Sequence, residues 1–288
     1  MKVARLVSSA LLVVIASLLA YGYFSVPAAK VMGVYDNEPR LGDGHVDVPA
    51  LISAIKDSNA NTYNYLIGHE TTDWEDLPGF LDAAEREGID VWVTVLPPSE
   101  SPPFGSMSSE PYGLDFVSWA RAIANLSASH KSLKAWSVDN LDHNCGFFAP
   151  QYLEEAVSAG KEVNPDLAFV PVVYYPALNM PQCSHIFEQS DGLQFYYRHE
   201  SGIPDVSSTD TLASEIEAFK ARFRKPLVLG VYASCLAQNA CPTADYVGRV
   251  MRASQGRVDG WMVYTLQPEK ESFGPARDFF DRARQPGG

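Results

Sequence analysis

From residue 31 onward, short runs of apolar, β-branched or aromatic residues alternate eight times with amphipathic segments. No other feature constrains the fold as much. The expected strands are Val31–Tyr35, Thr62–Ile67, Asp90–Leu96, Lys134–Asp139, Ala168–Tyr174, Gly192–Tyr197, Leu227–Tyr232 and Gly260–Thr265. Runs such as Val91-Trp92-Val93-Thr94-Val95-Leu96 are apolar at nearly every position, which suits parallel strands covered on both faces. Apolar residues three and four apart predict helices at Val48–Asp57, Leu77–Glu87, Gly113–Ser127, Gln151–Val163, Thr211–Arg224, Ala244–Ala253 and Gly274–Arg284. The connection from Pro176 to Gln189 shows no clear helix.

An unbroken series of this kind predicts an α/β protein with a single (β/α)8 TIM barrel over residues 30–288. A doubly wound open sheet is the competing arrangement. Eight parallel units exceed its usual size, and Tyr35-Asp36-Asn37-Glu38-Pro39-Arg40 after the first strand is not a glycine-rich phosphate turn. No P-loop or HExxH pattern occurs either, and no cofactor is expected.

Residues 1–29 stand apart. Lys2 and Arg5 precede an apolar stretch from Leu6 to Phe24, followed by Pro27, Ala28 and Ala29, the pattern of a secretory signal peptide. The stretch also approaches the roughly 20 residues that span a bilayer. An uncleaved N-terminal anchor is therefore the alternative, and the only membrane attachment expected. In either case the barrel is exported. In an oxidising compartment four cysteines can pair in three ways. A local Cys235–Cys241 bridge is expected, which leaves Cys145 for Cys183. No CxxC or Cys/His spacing suggests zinc, and no metal is expected.

The chain holds 35 acidic against 22 basic residues, a net charge of -13, and such a surface repels a phosphate backbone. Nucleic acid is thus excluded as a partner, and a monomer is expected. In a barrel, function belongs at the C-terminal ends of the strands. Read in order, those ends collect acids and aromatics: Asp36 and Glu38; His69, Glu70 and Trp74; Glu100; Asp139, Asn140, Asp142 and His143; Tyr174; Tyr196, Arg198 and His199; Tyr232; Gln267 and Glu269. Carboxylates supply proton transfer or stabilise an oxocarbenium ion. Aromatic faces stack on sugar rings, while Asn, Gln and carboxylates bond sugar hydroxyls.

The sharpest segment is Ser137-Val138-Asp139-Asn140-Leu141-Asp142. Asp139 shares side-chain parity with the small Ser137, and a second acid follows three residues later on the loop. Two carboxylates this close push each other's proton affinities apart, as an acid/base pair requires. The bland alternatives are that Asp142 caps the following turn and that Asp139 pairs with an arginine such as Arg198. Asp36 and Glu70 rank first as the further acid. The remaining substrate-binding candidates are Tyr35, Glu38, Trp74, Asn140, Tyr174, Gln194, Tyr196, Arg198, Tyr232, Trp261 and Gln267.

Asp139-Asn140-Leu141-Asp142 resembles the fourth-strand element of barrel enzymes like the family 114 polygalactosaminidases. Gly192-Leu193-Gln194-Phe195-Tyr196-Tyr197 with Trp261 is similar to the later strands of family 18 chitinases, in which a tyrosine and a tryptophan line the sugar site. The resemblance implies an exported glycoside hydrolase acting on an oligo- or polysaccharide. Val231-Tyr232-Ala233-Ser234 lacks the strand-seven acid of the large retaining clan. That absence motivates a second reading, a carbohydrate-binding barrel without turnover, serving a surface or polysaccharide-processing complex.

Overall fold

In the computed structural model the described residues are 30–200, 204–236 and 240–284, so the expected export segment at 1–29 lies outside them. From Val31 onward the chain forms one compact unit. Its strands are β1 (Val31–Tyr35), β2 (Thr62–Ile67), β3 (Asp90–Val95), β4 (Leu133–Val138), β5 (Ala168–Phe169), β6 (Val172–Val173), β7 (Leu193–Tyr196), β10 (Leu227–Tyr232) and β11 (Gly260–Tyr264). A small antiparallel hairpin, β8 (His199–Glu200) and β9 (Pro204–Asp205), sits apart from them.

The nine main strands pair in the order β5-β4-β3-β2-β1-β11-β10-β7-β6, every neighbour parallel. β5 and β6 are two halves of the expected fifth strand. Pro171 has no N–H to give a ladder, so the strand breaks there. The first half pairs with β4 and the second with β7, which closes the circle. The architecture is the single (β/α)8 TIM-like barrel.

Helices fill each gap: α1 (Val48–Asp57), α2 (Asp73–Glu87), α3 (Phe116–Ser129), α4 (Pro150–Val163), α5 (Ser184–Gln189), α6 (Leu212–Arg222), α7 (Ala244–Ser254) and α8 (Gly274–Arg284). Side chains of Asp47, Asp115 and Thr243 accept from Ala50, Ser118 and Tyr246 N–H groups at 3.0, 3.0 and 3.2 Å, the capping that starts α1, α3 and α7. Gly88, at φ 67°, ends α2 in the left-handed conformation that glycine adopts without strain. Two expectations needed correction. The gap after the fifth strand does hold a helix, the short α5, behind two 3₁₀ turns that an apolar-period search passes over. In addition, α2 starts four residues earlier than expected. Its first turn is carried by Asp73, Glu75 and Asp76, acids that complement a helix N-terminus and leave no apolar period to read.

Strand parity sorts the side chains. Trp136 packs on Phe169 outside the barrel, with ring centroids 4.5 Å apart, and Phe195 packs on Phe219 at 4.4 Å. Inside, Asn64, Thr94, Ser137 and Gln194 form a buried polar layer. Thr94 Oγ1 donates to Asn64 Oδ1 at 2.7 Å, Asn64 Nδ2 to Gln194 Oε1 at 3.3 Å, and Gln194 Nε2 to Ser137 Oγ at 3.1 Å. Buried amides keep their partners because losing one costs about 1–3 kcal/mol. This layer is the floor on which the site stands.

Candidate functional site

One residue further along each interior row, the barrel opens into a pocket of about 330 Å³ at the C-terminal ends of the strands. β1 delivers Tyr35 and then Asp36, and β4 leads into Asp139 and Asn140. Tyr174 follows β6, Tyr196 ends β7, Tyr232 ends β10 and Tyr264 ends β11, and all eight residues line the pocket. Glu100 and His69 reach it from the loops after β3 and β2, and Leu66, Leu96, Met107, Val172 and Leu236 supply apolar wall.

The five tyrosines form a connected aromatic wall. Ring centroids lie 5.5 Å apart for Tyr35–Tyr264, 5.8 Å for Tyr264–Tyr232, 5.4 Å for Tyr232–Tyr196 and 6.4 Å for Tyr196–Tyr35. Tyr232 and Tyr174 share a hydroxyl hydrogen bond of 3.0 Å. The Tyr35 and Tyr196 hydroxyls are buried without a hydrogen-bond partner within the protein, as is Asn140 Oδ1. Gly230 makes room for Tyr196, because a Cβ there would lie 2.2 Å from the ring.

The acids differ in setting. Burial, followed by the Glu100 charge, pushes the Asp139 carboxyl up to about 7, although the Asn140 N–H donates to its Oδ1 at 3.1 Å. Asp36 Oδ1 meets His69 Nε2 at 2.6 Å, and that hydrogen bond raises the imidazole's affinity for its proton. Behind Asp36, Glu38 accepts from Tyr63 Oη at 2.9 Å, and burial followed by the Asp36 charge pushes it up to about 7. Asp36, Glu38 and His69 bring one ligand atom each within 4.8 Å of the others, the one such group with metal-binding potential among the described residues. Arg40 Nη2 stands 3.8 Å from Glu38 Oε2, so a cationic group already serves that carboxylate.

Of the sequence candidates, Tyr35, Asp36, Asp139, Asn140, Tyr174, Tyr196 and Tyr232 converge on the pocket. The others sit elsewhere. Asp142 is buried and its Oδ2 accepts the Tyr174 N–H at 3.2 Å, tying the fourth loop to the fifth strand. Glu70 is exposed beyond the rim, in a turn whose N–H groups at Gly68, His69 and Glu70 all bond Asp73 Oδ2. Trp74 packs edge-on against Trp119 and Tyr112. Gln194 belongs to the polar floor. Trp261 faces outward, donating to Ser254 Oγ at 2.8 Å and packing on Phe279, because it has the opposite parity to Tyr264. Gln267 accepts from Ser234 Oγ at 3.1 Å, and the Arg198 guanidinium lies 3.9 Å from the centroid of the Tyr174 ring. Both disulfides form as expected, Cys145–Cys183 and Cys235–Cys241, and Cys235 lines the pocket. They favour an extracellular location. Among the described residues no helix is long and apolar enough to cross a membrane.

Glu100 and His69, which the sequence places at the functional strand ends without a role in the site, line the pocket, and so does Tyr264. Tyr264 was within reach of a parity argument, since Met262 and Gly260 precede it on the same face. Glu100 sits in a loop, where no period applies.

No protein family profile and no curated protein matches the sequence. Solved structures do match in fold. A GH113 β-1,4-mannanase superposes with TM-score 0.63 at 12% identity, covering 88% of this chain and 99% of its own. An exo-β-1,4-mannosidase from Opitutaceae bacterium strain TAV5 gives 0.61 at 14% identity, covering 88% of this chain and 60% of its own. A GH2 β-galacturonidase from Eisenbergiella tayi gives 0.60 at 14% identity and 88% coverage, and this chain spans about half (51%) of that enzyme's length. What these likenesses show is the fold, a TIM barrel of the kind those enzymes carry. The narrower likeness to families 114 and 18 rests on the short motifs alone.

Proposed function

We propose that the protein is an exported glycoside hydrolase that cleaves an oligo- or polysaccharide with Asp139 as general acid. The observation that carries this reading is one pocket in which an acid with its proton affinity raised to about 7 stands among other carboxylates and a wall of tyrosines. Asp139 donates its proton to the glycosidic oxygen as the C1–O bond breaks, and Asp36, fixed by His69, faces the positive charge developing at C1. Water then adds to C1, its proton returning to the Asp139 carboxylate. The tyrosine faces stack on the sugar, and the Tyr35 and Tyr196 hydroxyls take up its hydroxyl groups. Acidic walls favour a neutral or amino sugar over a polyanionic one. The two disulfides support export.

The test is a glycan-library digest with product analysis, run on wild type and Asp139→Asn. Wild type should release defined products, and the variant should be slower by roughly 100-fold or more, the scale of a lost general acid. Equal rates would remove Asp139 from its role. The second reading, a binding barrel without turnover, is favoured by one observation: β10, the seventh barrel strand when β5 and β6 count as one, ends in Tyr232 with no carboxylate. A glycan that binds tightly yet survives long incubation would decide for it.

A further inference from the structure

We propose that Glu100 is a positioning residue of this site: bonded to the Asn140 side chain, its carboxylate is held beside Asp139 and tunes Asp139 for its role. The inference rests on the reading of Asp139 as the acid and adds what tunes it.

The geometry is a relay through one residue. Asn140 gives its backbone N–H to Asp139 Oδ1 at 3.1 Å and its side-chain Nδ2 to Glu100 Oε1 at 2.9 Å. Asn140 holds φ at 44°, a left-handed conformation that asparagine adopts more readily than most residues. The Glu100 loop is pinned from both sides. Ser99 N–H donates to Asn144 Oδ1 at 3.0 Å, while Asn144 Nδ2 donates to Ser99 Oγ at 2.9 Å and to the Asn140 carbonyl at 3.0 Å. The loop also folds back on Glu100 itself: Met107 N–H bonds the Glu100 carbonyl at 3.3 Å, and a Cβ at Gly105 would lie 1.9 Å from that oxygen.

A loop built this firmly keeps the Glu100 carboxylate on the side chain of Asn140, the residue that follows Asp139. Other groups share the pocket or its rim: Asp36 and Tyr35 from the first strand, His69 from the second, Asp142 from the fourth loop, and Tyr174, Tyr196, Tyr232 and Tyr264 from later strands, with Arg198 over Tyr174. Among the carboxylates, Glu100 raises Asp139 more than Asp36 or Asp142 does, after burial itself. Asn140 donates to both acids, its backbone N–H to Asp139 and its side-chain N–H to Glu100, so the arrangement holds together while one acid stays neutral.

A plain loop staple would need the hydrogen bond but not the charge, and Glu100→Gln separates the two. Carbon-13 NMR titration of the side-chain carboxyls of the whole protein, with Asp139→Asn assigning the signal, reads the proton affinity of Asp139 directly. In Glu100→Gln the Asp139 midpoint should fall by roughly one pH unit, the scale of a close like charge. The alkaline limb of glycan hydrolysis should move down with it. Asn140→Gly keeps the left-handed backbone while removing the amide, and it should lower the midpoint in the same direction even if Glu100→Gln fails to fold. An unmoved Asp139 midpoint in folded variants overturns the proposal. If the midpoint moves but no glycan is cleaved, the glycosidase reading fails and this one stands. If glycan is cleaved with a pH limb indifferent to Glu100, only this one fails.

Discussion

Replacing Asp139 by asparagine should stabilise the protein at alkaline pH while slowing the proposed hydrolysis by roughly 100-fold or more. The side chain is half-buried, and its carboxyl is pushed from an ordinary 3.8 to about 7. At about 1.4 kcal/mol per unit, a rise of roughly three units corresponds to about 4 kcal/mol of preference for the neutral acid in the folded state. The pocket is open to solvent, which screens the charge, so about 2–4 kcal/mol is the working figure. Between pH 4 and 7 the folded chain holds the proton that the unfolded chain has released. Wild-type stability from this group is therefore complete below pH 4, declines as pH rises, and is gone above pH 7. Asparagine does not titrate, and other ionising groups largely cancel in the difference between the two proteins. Urea unfolding followed by tryptophan fluorescence at pH 4 and pH 8.5 measures that difference. The variant's advantage should grow by about 2–4 kcal/mol between the two pH values. A difference that does not change with pH, or a variant losing ground at pH 8.5, refutes the argument that Asp139 is a strained acid.

Two further substitutions probe the tyrosine wall. Tyr196 is 2% exposed and its hydroxyl has no partner within the protein, so Tyr196→Phe should leave stability unchanged or raise it by about 1 kcal/mol. The same change should weaken glycan affinity by roughly fivefold to tenfold, measured by calorimetry with the glycan identified in the digest. Gly230→Ala forces a methyl to within 2.2 Å of the Tyr196 ring, so it should cost about 1–3 kcal/mol by thermal melting and reduce turnover together. Wild-type stability and rate in that variant would mean that the ring is free to move.

Most of the barrel was legible because its signals are local and periodic. Val31–Tyr35, Thr62–Ile67 and Leu227–Tyr232 read from the sequence with the bounds they have in the structure. Where a single residue overrides the period, as Pro171 does, the reading ran straight through a break. Polar helix starts failed for a related reason, since the acids that begin α2 stabilise it through the helix dipole and carry no apolar stripe.

The site was legible only where it belongs to the strands. Asp139, Tyr35, Tyr196 and Tyr232 can be placed by counting residues from the barrel interior. The same count explains the misplacements: Trp261 has the parity that points outward to Phe279, and Gln194 lies one layer too deep, spent on Ser137 and Asn64. Chemical type made both attractive as sugar ligands, but in a barrel position along the strand decides what a side chain can touch. Glu100 obeys neither rule. Asn140, 40 residues away in sequence, bonds its carboxylate, and Asn144 holds the neighbouring Ser99, so the sequence puts Glu100 after the third strand without showing that it reaches the pocket. The residues that a sequence hides best are thus those whose place depends on another loop. In this pocket that group includes Glu100, whose charge is the first influence on Asp139 after burial.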